Sequence, residues 1–197
     1  MVLGLILAGG RSQRFGGEKA AARLDGAPLL IHAHRRLAPH CRIVGVSAPR
    51  LSEAARLAAD IGAPLVRDPP NAPGGPLSGL AAGLAWTQRE GDDLMLALPC
   101  DTPLLPQDLV PRLLEAVEGH DAAVARSPDG LQPLCAVWRT TLLEPMLAAL
   151  AHGEHPPIRA VLREAGAVEV AFPDAAGFLN VNTQEDLAEA ERRLRLA

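Results

Sequence analysis

Tyrosine is absent from this 197-residue sequence, and aromatic residues together make up only 3% of it. Proteins that stack single-stranded nucleic acid need aromatic platforms, so that function class is excluded. Cysteine is scarce as well: Cys41, Cys100 and Cys135 are odd in number, far apart and without C-x-x-C spacing. They read as reduced thiols of a cytosolic protein, neither a disulfide framework nor a zinc site. No apolar stretch reaches the length of a membrane span, and the strand-like run after Met1 has no basic leader before it. Neither a transmembrane segment nor a signal peptide is expected, and the expected compartment is the cytoplasm. Excess positive charge is also missing. A net charge of −4 and a pI near 5.9 argue against broad attachment to nucleic acid or to an anionic membrane, and leave room only for a local basic pocket.

Common catalytic signatures are missing too. Lys19 is followed by Ala20, so there is no G-x-x-x-x-G-K-[ST], and the glycines near it come as adjacent pairs, so there is no G-x-G-x-x-G. No G-x-S-x-G occurs. His32, His34, His40, His120, His152 and His155 form no i,i+4 metal pair beside an acidic residue, and structural roles are expected for His32 and His34, which flank one helix. Cys100 adjoins Asp101, and a neighbouring carboxylate together with burial raises a thiol pKa, which opposes nucleophilic use. Covalent catalysis has no support.

What is present begins at the amino terminus. The apolar run at residues 2–7 leads directly into Ala8-Gly9-Gly10-Arg11-Ser12-Gln13-Arg14-Phe15-Gly16-Gly17-Glu18-Lys19. A buried strand ending in a glycine-rich, doubly basic loop places backbone N–H groups and cations around phosphates. Gly-Gly after a strand is also an ordinary tight turn; Arg14 and Lys19 on one loop favour phosphate.

Further along, strand patterns occur at 42–47, 64–67, 93–98, 122–127, 132–139 and 168–172, with helical patterns between them. Pro28 is placed to open the first helix, Ser52 to cap the second, and Gly62 to stop it. Asp25-Gly26 reads as a turn closing an extended piece at 20–24, and Asp129-Gly130 as a hairpin or short loop. Residues 68–79, rich in Pro and Gly, read as an ordered loop opening onto a helix to about residue 88. That helix contains Gly79 and Gly83, which call for a close approach by either the sheet or a ligand. Thr183 and Asp186 approximate a capping box, and Arg192, Arg193 and Arg195 a solvated face of the last helix. No repeat or linker divides the chain, so residues 1–197 are read as a single domain. Alternating strands and helices specify an α/β fold with a mostly parallel sheet covered on both faces. Ligands bind such sheets at the carboxyl ends of the strands. The loop at 8–19, Asp68 and Asp101 all fall at such ends and are expected to share one crevice.

Asp101 lies between Pro99 and Pro103 after the fourth strand, as a rigid carboxylate facing that crevice. Mg²⁺ takes one or two carboxylates plus phosphate oxygens and water; a helix cap is the other reading of this Asp. The glycine loop beside it favours magnesium.

Five ordered motifs then carry a resemblance. Leu7-Ala-Gly-Gly10, Arg14-Phe-Gly-Gly-Glu-Lys19, Gly75-Pro-Leu-Ser-Gly79, Pro99-Cys-Asp-Thr-Pro103 and Asn180-Val-Asn-Thr183 stand as in the molybdenum cofactor guanylyltransferases. The chain resembles that family from residue 3 to about 190. The resemblance implies a Rossmann-like three-layer sandwich of the GT-A-like nucleotidyltransferase type. It implies transfer of GMP from GTP to the phosphate of molybdenum-bound molybdopterin, with release of pyrophosphate and with Mg²⁺ as cofactor. Transient contact with molybdopterin-delivering and molybdoenzyme-maturation proteins is expected with it, and the chain is expected to be a monomer with no nucleic-acid or membrane partner.

Carried onto this sequence, the backbone of Leu7, Ala8, Gly9 and Gly10 holds the nucleotide and Lys19 its phosphates. Ser47 and Asp68 touch the nucleoside, and Gly75 and Gly79 belong to the same GTP site. Asp101 binds Mg²⁺, and Asn180 and Asn182 lie toward the pterin. The chain departs from the family pattern with Phe15 for Met, Glu18 for Asp, Ser47 where Asn occurs, and Gln184 for Pro. The rival readings are a cytidylyl- or sugar-phosphate nucleotidyltransferase of the same superfamily, and a GTP- or pterin-holding carrier without turnover.

The missing base–nucleophile constellation agrees with this chemistry. A phosphate monoester has its second pKa near ~6 and is already dianionic at neutral pH. The enzyme's task is then to align two anions and stabilise the charge on the leaving pyrophosphate. Asp101, Lys19 and Arg14 are the residues expected to do so, and Asp68 is a candidate for recognising either guanine or ribose.

Overall fold

Strand β1 (Val2–Leu7) is apolar on both faces: Val2 and Ile6 are buried on one side, Leu3 and Leu5 on the other. Such a strand belongs in the middle of a sheet with both faces covered. In the computed structural model, which describes residues 1–9, 15–68, 74–151 and 156–196, β1 has that place. It pairs in parallel with β4 (Val44–Ser47) on one side and β6 (Leu94–Pro99) on the other. Beyond β4 lies the short β5 (Leu65–Val66); beyond β6 lie β8 (Gly130–Arg139), β7 (Ala122–Ser127) and β9 (Val168–Ala171). Among the described residues, only β8 runs against the rest of this sheet, antiparallel to both β6 and β7. A separate hairpin joins β2 (Arg23–Leu24) to β3 (Ala27–Pro28) through Asp25 and Gly26, both with positive φ.

Helices cover both faces and make three layers. Leu30 and Leu37 of α1 (Leu29–Leu37), Leu57 of α2 (Glu53–Asp60) and Leu113 of α4 (Leu109–Ala116) pack against the Val2–Ile6 face. Leu80 and Leu84 of α3 (Pro76–Arg89), Met146 of α5 (Leu143–Ala151) and Leu162 of α6 (Ile158–Glu164) pack against the Leu3–Leu5 face. The last helix, α7 (Gln184–Leu194), starts at a complete capping box between Thr183 and Asp186 and closes a smaller cluster with Phe15, Leu24 and Leu29.

The glycines of α3 are explained by this packing. A Cβ at Gly83 would fall 2.5 Å from both Leu5 Cδ2 and Met95 Sδ, and one at Gly79 would fall 2.8 Å from Ser47 Oγ. The helix thus lies directly on the sheet, and two small residues set how near it comes. Some local expectations shift. Of the extended piece expected at 20–24, residues 20 and 21 belong to a 3-10 turn (Lys19–Ala21) and Arg23 and Leu24 are strand, and Pro28 precedes α1 instead of occupying its first helical position. Ser52 caps α2 by accepting from Ala55 N, and Gly62 ends it at φ 69°.

Candidate active site

Because β1 and β6 are neighbours with Leu7 opposite Pro99, the residues that follow each strand come out side by side. Cys100 N donates to Leu7 O at 3.1 Å, and Ala8 N donates to Ser47 O at 2.9 Å. The start of the glycine loop is therefore tied to both flanking strands. The chain returns at Lys19, whose Nζ lies 3.0 Å from Asp101 Oδ2, with side-chain exposures of 17% and 22%. Lys19 also donates to the side-chain oxygen of Asn182. Asp101 is not a helix cap: its carboxylate takes the ammonium, its carbonyl accepts from Val181 N at 2.7 Å, and Asp108 is the residue that precedes α4.

The Asn182 segment is anchored in turn. The Asp186 carboxylate accepts from the backbone N–H groups of Asn182 and Thr183, each at 2.9 Å. These N–H groups, that of Asn182 foremost, hold the Asp186 carboxyl below the usual range for Asp.

A cleft of about 720 Å³ extends over the ends of β5, β4, β1 and β6 to the middle of β8, a volume typical of small-ligand sites. Leu7, Ala8, Gly9, Lys19, Ser47 and Asp68 line it, as do Gly75, Gly79 and Asp101. The first turn of α3 enters the cleft through Gly75, Pro76 and Gly79, with Gly75 at φ 90° ahead of Pro76. Helix starts of this kind offer unpaired N–H groups to anions. Partial burial raises the Asp68 carboxyl above its ordinary value. Burial, and secondarily the charge of Asp101, push the Cys100 and Cys135 thiols up to about 12, so both are inert as nucleophiles at neutral pH.

Asn182 reaches the site through Lys19, whereas Asn180 is exposed and does not line the cleft. Gly10 and Arg14 lie outside the described residues, as do 69–73 of the Pro/Gly-rich loop, His152 and His155. Arg50, Arg67 and Leu134, which carry no motif, also line the cleft, as does Glu18 of the motif before Lys19. Arg67 directly precedes Asp68 at the end of β5, so the same strand-end rule would have found it. Glu18 reaches across to α2, accepting from Ala54 N at 3.2 Å. Among the described residues, no group of three or more His, Cys, Asp or Glu is placed to hold a metal ion. No helix among them is long and apolar enough to cross a membrane.

A mostly parallel sheet with a cleft over its strand ends, where a lysine meets a carboxylate, is the architecture of a nucleotide-binding α/β protein. The chain belongs to the MobA-like NTP transferase family, whose domain model matches residues 4–169. A molybdenum cofactor guanylyltransferase from Cereibacter sphaeroides is 43% identical over 195 residues, covering 98% of this chain and 97% of the relative. Another, from Burkholderia vietnamiensis, is 41% identical over 204 residues, covering 98% and 96%. The solved molybdopterin-guanine dinucleotide biosynthesis protein A of Archaeoglobus fulgidus shares the fold, with a TM-score of 0.81 at 21% identity over the whole of both chains.

Proposed function

We propose that this protein transfers GMP from GTP to the phosphate of molybdenum-bound molybdopterin, releasing pyrophosphate and forming the guanine dinucleotide cofactor. The observation that carries the reading is the meeting of Lys19 and Asp101 at 3.0 Å inside a cleft of nucleotide size. The chain's similarity to guanylyltransferases over nearly its whole length supports the choice of GTP and pterin.

The attacking group is a phosphate oxygen of the acceptor, already ionised at neutral pH, so no side chain has to remove a proton. A new P–O bond forms at the α-phosphorus of GTP while its bond to the β-bridging oxygen breaks, and the electron pair leaves on pyrophosphate. Lys19, with the N–H groups that follow β1, binds the phosphates and stabilises that charge. Arg14, on the same loop, is assigned to the β- and γ-phosphates. Ser47 and Asp68, near the ends of β4 and β5, take the nucleoside, with Gly75 and Gly79 giving it a close backbone wall.

The donor set suits magnesium carried in by the triphosphate: the Asp101 carboxylate lines the cleft beside Lys19, and Mg²⁺ asks one or two carboxylates of a protein when phosphates and water complete its shell. Asp101 would hold that ion, which would supply neutralisation of phosphate charge. The reading places the protein in the cytoplasm, working as a monomer and meeting the proteins that deliver molybdopterin and load molybdoenzymes only transiently.

Pyrophosphate release from GTP, measured with and without the pterin acceptor and again with CTP, tests the proposal. Release that requires the acceptor and prefers GTP is expected. No release with acceptor present, or equal use of CTP, would overturn it.

A further inference from the structure

Strand β8 does not follow β7 evenly. Between Ala136 and Gln132 it passes through Pro133, Leu134 and Cys135, while β7 advances only from Val124 to Ala125. Its ladder with β6 stops at the same place, with Ala97 opposite Ala136. Since β8 is antiparallel to β6, this excess chain lies at the end of the sheet that carries the cleft. Bulges bend a strand and re-aim its side chains, and a bulge tolerates Pro133 because it asks no ladder N–H of it.

The two side chains after Pro133 take opposite faces. Cys135 is buried with the cluster under α1, α2 and α4. Leu134 is only partly buried and faces the cleft, where Leu7, Pro99 and Cys100 continue the apolar wall.

The order of the strands says what this wall is for. Along the cleft come Asp68 after β5, Ser47 in β4, Gly9 after β1, Asp101 after β6 and Leu134 in β8. Neighbouring strands are ~4.8 Å apart, so the cleft extends roughly 19 Å from β5 to β8. A nucleotide with its base toward β5 and β4 and its phosphates at Lys19 and Asp101 ends at β6. The far side of Asp101 is left to the acceptor, whose phosphate must reach the same α-phosphorus.

We propose that the bulge presents Leu134 as the apolar contact for the face of the acceptor's planar heterocycle, making it a residue that sets acceptor affinity. A pterin has polar edges but apolar faces, and a leucine beside the reacting phosphates suits the face. The identity of the acceptor rests on the guanylyl-transfer reading above.

The test compares wild type with Leu134→Ala, Leu134→Gln and Leu134→Met. Binding of molybdopterin is read by pterin fluorescence, binding of GTP by calorimetry, and apparent KM values by pyrophosphate release. Leu134→Ala should weaken acceptor binding and raise acceptor KM about tenfold, as loss of one apolar contact does. The Kd of GTP should stay within about twofold. Leu134→Gln, of similar size but polar, should behave like the alanine variant, and Leu134→Met should restore affinity. Unchanged acceptor affinity in Leu134→Gln, or equal losses for GTP and acceptor in Leu134→Ala, would overturn the proposal. So would a wild-type protein that binds no pterin. Wild type that binds the pterin yet releases no pyrophosphate would refute guanylyl transfer alone, and the binding comparison would still decide the role of Leu134.

Discussion

The ammonium of Lys19 and the carboxylate of Asp101, 82 residues apart in sequence, meet at 3.0 Å across the neighbouring ends of β1 and β6. The C-terminal segment joins them, with Val181 N on the Asp101 carbonyl and Asn182 on Lys19. Three distant stretches of chain therefore hold one ion pair at the edge of the cleft.

Replacing Asp101 with Asn keeps the shape and removes the charge. Turnover at saturating GTP and Mg²⁺ should fall about 100- to 1000-fold, with GTP affinity changed far less. Pyrophosphate release together with equilibrium GTP binding checks this; near-normal turnover would remove the metal role from Asp101.

Lys19→Met should raise the KM for GTP and lower kcat together, because it removes a phosphate partner and leaves the Asp101 carboxylate without its ammonium. Lys19→Arg should recover only part of the loss, since a planar fork does not replace a compact ammonium. Asn182→Ala, which removes one of the acceptors that fix Lys19, should have the smaller effect of the three. Steady-state kinetics of the variants decide the ranking.

Asp68→Ala should narrow the preference for GTP over CTP by about tenfold if this carboxylate reads the guanine edge, because an unmatched polar group then no longer penalises the wrong base. If Asp68 contacts ribose, both nucleotides should lose equally. The ratio of kcat/KM values separates the two.

Gly83→Ala tests the contact of α3 with the sheet. Alanine favours helix by about 1 kcal/mol, but its Cβ would sit 2.5 Å from Leu5 and Met95. The variant should be less stable by about 1–3 kcal/mol, as overpacked cores are, with little change in nucleotide affinity. Thermal melting should show the loss.

Asp92, Glu169 and Asp186 all have carboxyls held below their ordinary pKa, chiefly by hydrogen bonds from Arg42, from Arg126 and from the N–H of Asn182 respectively. A folded-state pKa below the unfolded one contributes stability that is present above the unfolded value and lost as pH falls through the folded one. Melting temperature should therefore hold above about pH 4–5 and decline below it. The decline should be shallower in Asp92→Asn, which lacks one of the titrating groups.

Much of this protein was legible without a structure. The Thr183–Asp186 capping box, the Ser52 cap and the Asp129-Gly130 turn all stand where local chemistry put them. The strand-end rule brought Gly9, Asp68 and Asp101 into one cleft. The 3-10 turn at Lys19 was not legible, because nothing in residues 19–21 distinguishes it from extended chain until Ala22 N closes it onto the Lys19 carbonyl. Nor was the burial of the α3 glycines against Leu5 and Ser47, since a glycine shows that something comes close without showing what.

The sequence by itself determined the kind of elements, their order, and the placing of Gly9 and of a carboxylate at strand ends. Apolar periodicity, capping residues and turn residues act over a few neighbours and need no partner elsewhere. Only the tertiary structure decided that β8 enters the sheet in reverse between β6 and β7, that Lys19 pairs with both Asp101 and Asn182, and that a bulge turns Leu134 into the cleft. Those outcomes depend on strand register and on contacts between residues far apart in the chain, which no local pattern encodes.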